Sequence, residues 1–277
     1  MTALDGQRAS GWWLGRAAAP VRSAARLAAI GWWLQLKIRS RSAFDLMLAV
    51  VYPLIFASAI FLLFRQTATG TGLIGVAVGA SAIGVWSATT TTASDALQAE
   101  RRQGTLELLV LAPRLFPLVI LPITLSMTST GLYSLVTTLL WGRIVFGIPI
   151  MFRDPVGFVC AVAAIVVAIG LIGFLQAVTM VRFRAAWAIG AALDMPVWLI
   201  CGFLVPLSVL PAWVRPVAWI LPPTWGVYAL HAAAFGGSPW LDILICMTIA
   251  SGYAVAGTIW SFRLLDAARA AATLALT

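Results

Sequence analysis

Charged side chains that could bind a partner are concentrated in one short stretch, from Glu100 to Pro113. Its charged members are Glu100, Arg101, Arg102 and Glu107. Such residues support ion pairs and charge-assisted hydrogen bonds with a soluble partner. If Thr105 begins a helix, the carboxylate of Glu107 lies in its first turn and suits the positive end of the helix dipole, and Pro113 stops the helix after about two turns. The stretch is therefore predicted to be a short contact helix.

Asp194 is the one acid well inside a predicted membrane crossing, about ten residues past Arg184. An ionised side chain at the centre of a bilayer costs about 2.5–3.5 kcal/mol on insertion scales, so it requires an explanation. Met195 and Pro196 follow it, and Trp198 comes one helical turn later. Two interpretations stay open. In the first, Asp194 lies on a water-accessible translocation surface and attracts a cationic group. In the second, it is hydrogen-bonded to a neighbouring helix, or it lies nearer the inner surface than the predicted boundary.

Catalytic and metal-binding patterns are absent from the sequence. No glycine-rich loop precedes Lys-Ser or Lys-Thr, the pattern that cradles nucleotide phosphates, so the chain is not expected to bind or hydrolyse ATP. No pair of cysteines has metal-ligand spacing, and each falls in a different apolar run. The three are interpreted as small packing residues: Cys160, Cys201 and Cys246.

Composition places this chain in a membrane. Of its 277 residues 62% are hydrophobic and only 10% are charged, whereas a soluble domain carries about 25% charge. The net charge of +9 does not indicate nucleic-acid binding, because the basic residues lie between apolar runs rather than in one patch. A soluble enzyme and a nucleic-acid-binding protein are both disfavoured.

The apolar runs predict an all-α polytopic membrane protein with six crossings, each long enough to span about 30 Å of hydrocarbon. The predicted spans are residues 44–64, 73–92, 115–140, 156–181, 185–210 and 241–264. Residues 1–43 form a cytoplasmic N-terminus, and residues 265–277 form a cytoplasmic tail. An apolar stripe on the N-terminal segment predicts a helix lying on the inner membrane face, with Trp32 and Trp33 available to the headgroups. The stripe consists of Leu27, Ile30, Leu34 and Ile38.

Orientation follows from the distribution of basic residues. With the N-terminus inside, 14 of the 18 lie in inner segments and four in outer ones, which is a clear positive-inside bias. The Glu100–Pro113 stretch is then cytoplasmic. On the outer side, residues 211–239 are too apolar for a solvated loop and too rich in proline and glycine for a crossing. They predict a re-entrant helical hairpin covered by protein.

The Glu100–Pro113 stretch resembles the cytoplasmic coupling helix of the ABC type-2 transporter permease family. That pattern is roughly Glu-Arg-Glu, any residue, Gly-Thr, any residue, Glu, any residue, Leu. Six positions match: Glu100, Arg101, Gly104, Thr105, Glu107 and Leu109. Arg102 stands where the family usually has a second Glu. Residues 221–230 resemble the second family signature, with Leu221 in place of the usual Asn and His231 near the usual Arg.

The resemblance implies a permease subunit of an exporter in the bacterial inner membrane. A separate ATPase subunit, which binds ATP and Mg, is expected to dock on the coupling residues, and a second permease subunit, identical or related, is expected to complete the path through the bilayer. The expected coupling residues are Glu100, Arg101, Arg102, Gly104, Thr105, Leu106 and Glu107. The expected substrate-path residues are Asp194, Met195, Pro196 and Trp198.

The apolar fifth span slightly favours a hydrophobic drug-like or lipid-like substrate. Three alternatives stay open. The first is export of a lipid-linked polysaccharide, and the second is an intramembrane enzyme, although the spans offer almost no polar residues besides Asp194. The third is a membrane anchor that recruits a soluble partner without transport.

Overall fold

The computed structural model describes residues 21–41, 43–64, 70–102, 117–148, 152–182, 192 and 196–270. These residues form helices joined by turns and bends, and no strand occurs among them. Within the described ranges the main helices, in chain order, are α1 (Val21–Ser40), α2 (Ala43–Phe64), α3 (Gly70–Arg102), α4 (Pro117–Phe146), α5 (Pro155–Arg182), α6 (Val214–Ile220), α7 (Pro222–Phe235) and α8 (Trp240–Ala270). The all-helical prediction is confirmed for this part of the chain.

Helix α5 is the centre of the bundle, since it contacts α3, α4, α7 and α8. Its start is well defined: Asp154 accepts a hydrogen bond from the backbone N–H of Gly157 at 2.9 Å, and Pro155 occupies the first turn, where no backbone donor is needed. From there to Arg182 the helix has no charged residue. Its interior positions, such as Ile165 and Ala168, are fully buried.

In the part of the chain that the structure describes, three helical segments are long and apolar enough to cross a membrane: Ile120–Phe146, Pro155–Thr179 and Trp240–Arg263. They fall within the predicted third, fourth and sixth spans or overlap them closely. Shorter apolar segments, Pro53–Leu63 and Gly72–Ser87, occupy the places predicted for the first two spans. The protein is thus a multi-pass membrane protein, while the full count of six crossings stays a prediction.

Helix α1 packs along α4, a contact that the amphipathic stripe did not predict. The indole N–H of Trp32 donates to the hydroxyl of Ser129 at 2.9 Å, and Gly31 lies against the ring of Pro122. Trp32 therefore faces protein, although the sequence placed it with the headgroups. Trp33, its neighbour, is exposed as expected.

The predicted fifth span, residues 185–210, is not one continuous helix. Most of its first half lies outside the described residues, and residues 201–213 form turns and bends. Gly202, at φ +77°, ends the helical turn that precedes it. The N–H groups of Gly202 and Phe203 donate to the carbonyls of Leu199 and Trp198 at 3.2 Å each, which is a Schellman motif. The prediction of a helix to residue 210 was wrong because glycine favours this left-handed termination.

Two helices, α6 and α7, fill the segment predicted to be a hairpin. Pro222 and Pro223 begin α7, as suits residues without a backbone donor. Most of α7 is buried, including Thr224, Leu230 and Ala233, so its backbone is covered by protein in the way that irregular structure at membrane depth requires. Entry of this hairpin from the outer face stays a prediction.

Thr224 stabilises the corner between α6 and α7 with two hydrogen bonds. Its hydroxyl donates to the carbonyl of Ala218 at 2.7 Å, and its backbone N–H donates to the carbonyl of Leu221 at 3.2 Å. The side chain of Trp225 adds a bond to the carbonyl of Trp219 at 3.0 Å. The Pro-Pro-Thr-Trp sequence thus begins α7 and supplies hydrogen-bond donors to carbonyl groups at the end of α6.

We expect Thr224→Val to destabilise the purified chain by about 1 kcal/mol, because a buried hydrogen bond is lost while side-chain volume is kept. Thr224→Ser retains the hydroxyl and serves as the matched control. Thermal unfolding in detergent should show a lower midpoint for the valine variant than for the serine variant. Equal midpoints would mean that the hydroxyl does not hold the corner.

Candidate functional site

Helix α3 carries the start of the charged stretch on a long rigid support. Its 33 residues extend about 50 Å at 1.5 Å per residue, which exceeds the roughly 30 Å of hydrocarbon. The backbone stays helical for ten residues beyond Thr92, the predicted end of the second span, as far as Arg102. Glu100, Arg101 and Arg102 therefore form the last turn of a helix whose other end is packed in the bundle.

The packed half of α3 is the most deeply buried part of the described chain. Residues 76–87 are all buried, and Val78 and Val85 are inaccessible to solvent. Helices α2, α4, α5 and α7 contact α3. The packed half of α3 is therefore held by neighbours on several sides.

The irregular segment after Gly202 also contacts α3 at close range. The carbonyl of Phe203 lies so near Gly79 that a Cβ atom there would overlap it. The ring of Phe203 is fully buried and meets Trp86 edge to face, with ring centroids 6.5 Å apart. Gly75, one turn before Gly79 on α3, lies against the ring of Phe235.

The remaining coupling residues, Gly104, Thr105, Leu106 and Glu107, lie outside the described residues, as do Asp194 and Met195. Their proposed roles stay predictions. Of the other substrate-path residues, Pro196 is exposed, whereas Trp198 is buried and meets Phe56 of α2 edge to face at 6.0 Å between centroids. In this conformation Trp198 does not line an open surface.

The Trp198 indole N–H is buried yet bonds to no acceptor among the described residues. A buried donor without a partner is uncommon and carries a desolvation cost of about 1–3 kcal/mol. Sequence reasoning selected Trp198 for its distance from Asp194 alone. The structure adds that it lies where α2 meets the helical turn at residues 196–200.

A group of buried hydroxyls on α4 was missed by sequence reasoning. Most of them bond to carbonyls of their own helix, as serine and threonine do in membrane helices. Ser134 and Thr138 are exceptions: they lie one turn apart, and neither hydroxyl has a partner among the described residues. Ser134 also lies against Gly84 of α3. The sequence feature that could have revealed this group is the high density of hydroxyl-bearing residues between Thr124 and Thr138.

The described interior is mostly apolar. Its fully buried polar residues are serines and threonines, to which the buried nitrogens of Trp198 and His231 are added, and no group of three or more His, Cys, Asp or Glu residues in the described ranges could hold a metal ion. What the arrangement offers is a long helix with a charged end, fixed among packed helices.

Comparison with known protein families matches residues 27–235 to the family described as ABC-2 type transporter. The comparison with individual curated proteins finds no match. The matched range includes most of α1 and all of α2 to α7, and therefore the charged end of α3, the bend at Gly202 and the Thr224 corner. It confirms the resemblance inferred from the two sequence signatures. The chain thus belongs to the ABC-2 type transporter family, and it is the membrane-spanning permease part of such a transporter.

Proposed function

We propose that the chain exports a hydrophobic drug-like or lipid-like compound from the cytoplasm or the inner leaflet. A separate ATPase subunit binds at residues 100–111 and supplies the energy. Two permease chains, identical or related, enclose the path. Members of this family act in a bilayer together with an ATPase subunit, and the sequence has no phosphate-binding loop of its own.

The observation that carries the proposal is the geometry of α3. One continuous helix joins the charged turn at Glu100–Arg102 to the buried residues around Val78 and Val85. Force applied to the charged end by an ATPase is transmitted along the helix instead of being absorbed in a loop. The close contact between Gly79 and Phe203 extends this connection to the irregular segment.

A hydrophobic substrate is supported by the character of the described interior. Most of its buried polar groups are hydroxyls, and the buried nitrogens Nε1 of Trp198 and Nε2 of His231 are further polar atoms, without a hydrogen-bond partner among the described residues. Burial lowers the exposure of these groups to water, so an ionised substrate would be costly to desolvate there. Trp198 has a buried indole N–H that is free to donate. An apolar compound with one hydrogen-bond acceptor fits these properties. Asp194 belongs to the same part of the chain. If its carboxylate lines the substrate path, the path prefers cationic compounds.

The direct test is transport by purified components. The full chain is reconstituted in vesicles with its partner ATPase subunit, and extrusion of a lipophilic fluorescent dye is followed with and without ATP. We expect dye movement only with ATP and only with an ATPase able to hydrolyse it. ATPase activity that responds neither to the permease nor to any hydrophobic compound would overturn the proposal.

A further inference from the structure

Helix α1 has two different faces, and only one of them contacts protein. Trp32 and Gly31 face α4 through the Ser129 hydroxyl and the Pro122 ring. The opposite face carries four large apolar side chains that are 39–60% exposed: Leu27, Ile30, Trp33 and Leu34. Their spacing places them on adjoining strips of one helix surface. This side of α1 is left uncovered by the described chain.

Basic residues border the uncovered face at both ends. Arg26 lies one turn before Ile30, and Lys37 lies one turn after Trp33. Arg41 lies in the turn directly after the last residue of α1, four residues past Lys37, so a second cation stands at the same end of the helix. All three are exposed. No described residue forms an ion pair with Lys37 or Arg41, and the α1 sequence contains no acid.

We propose that this face of α1 binds an anionic phospholipid. Lys37 and Arg41 contact the phosphate, and the acyl chains lie along Ile30, Trp33 and Leu34. Two exposed cations at one end of the helix match a phosphodiester, which an arginine can bind with two parallel hydrogen bonds. The apolar side chains begin one turn away, as the junction between headgroup and acyl chain requires. This proposal does not rest on the transport proposal.

A membrane lipid fits this face better than a soluble protein does. A soluble partner would have to bring acidic groups and a large apolar patch to a protein whose surroundings are already lipid. An anionic phospholipid supplies a negative charge and apolar chains in one molecule. Basic side chains are attracted to an anionic leaflet. Because α1 is bonded to α4 through Trp32, the bound lipid also stabilises the contact between these two helices.

The test measures lipids retained by the purified full chain. The protein is placed in nanodiscs that mix phosphatidylcholine with a minority of phosphatidylglycerol, then extracted, and its bound lipids are quantified by native mass spectrometry. The wild-type chain should be enriched in phosphatidylglycerol. Removal of both cations by Lys37→Gln and Arg41→Gln should reduce the enrichment by about fivefold for each charge removed. Raising the salt concentration to about 1 M should weaken it as well, since the attraction is screened.

Arg143→Gln is the matched control, because Arg143 is also exposed but lies in the last turn of α4. It should leave the enrichment unchanged. Equal retention of both lipids by the wild-type chain would overturn the proposal. So would unchanged enrichment in the double variant, or an equal loss in the control, since the latter would indicate only general attraction to the positive chain.

Discussion

Reversing the charge at Arg101 and Arg102 should abolish ATP-driven transport without unfolding the protein. Both residues lie in the last turn of α3, beyond the predicted membrane boundary. The proposed function places the ATPase at this turn, with acidic groups facing the two arginines, and like charges placed against each other in an interface cost several kcal/mol. Each 1.4 kcal/mol reduces binding tenfold. We therefore expect Arg101→Glu with Arg102→Glu to reduce flux at least a hundredfold, measured as dye extrusion from vesicles.

The control for this variant is Arg263→Glu, which reverses an exposed charge on α8, also predicted to lie on the inner side. It should transport normally. The double variant should keep the thermal midpoint of the wild-type chain but fail to retain the ATPase during purification. Normal flux in the double variant would show that the charged turn is not the docking site. An equal loss in the control would indicate a general effect of inner-surface charge.

Gly79→Ala should displace the irregular segment from α3. The added Cβ would overlap the carbonyl of Phe203, and backbone, unlike a flexible side chain, cannot turn aside. Overpacking of this kind costs about 1–3 kcal/mol. The buried thiol of Cys201 lies two residues before Phe203 and should become reactive. In a chain carrying Cys160→Ser and Cys246→Ser, we expect faster maleimide labelling of Cys201 and a lower thermal midpoint.

Gly252→Ala provides the comparison, because Gly252 lies in exposed helix α8 and a Cβ there meets nothing within 4 Å. Alanine is the better helix former by about 1 kcal/mol. This variant should be as stable as the wild-type chain or slightly more so, and Cys201 should stay protected. If Gly79→Ala behaves in the same way as Gly252→Ala, the irregular segment is not packed on α3 as described.

Local chemistry made much of this structure predictable. Apolar runs predicted helices near α2, α3, α4, α5 and α8, since hydrophobic length alone identifies such segments. Prolines and glycines marked residues 211–239 as an interrupted helical segment, and two helices occur there. The family followed from a few charged positions beside Gly104 and was confirmed by the match over residues 27–235.

Contacts between distant parts of the chain were not predictable. Gly202 was visible in the sequence, but nothing local distinguished a glycine that ends a helix from one that packs inside it. The partner of Trp32 is 97 residues away, and an amphipathic stripe alone does not say which of two neighbouring tryptophans faces protein. The approach of Phe203 to Gly79 likewise depends on tertiary packing, which overrides local preference.

The account depends most directly on the cytoplasmic position of Thr105 and its contact with an ATPase. Thr105→Cys in a chain without its three native cysteines can be probed with a membrane-impermeant maleimide. We predict no labelling in intact cells, labelling in inside-out vesicles, and protection when the ATPase is bound. Labelling from outside intact cells, or full labelling in the presence of bound ATPase, would contradict the account.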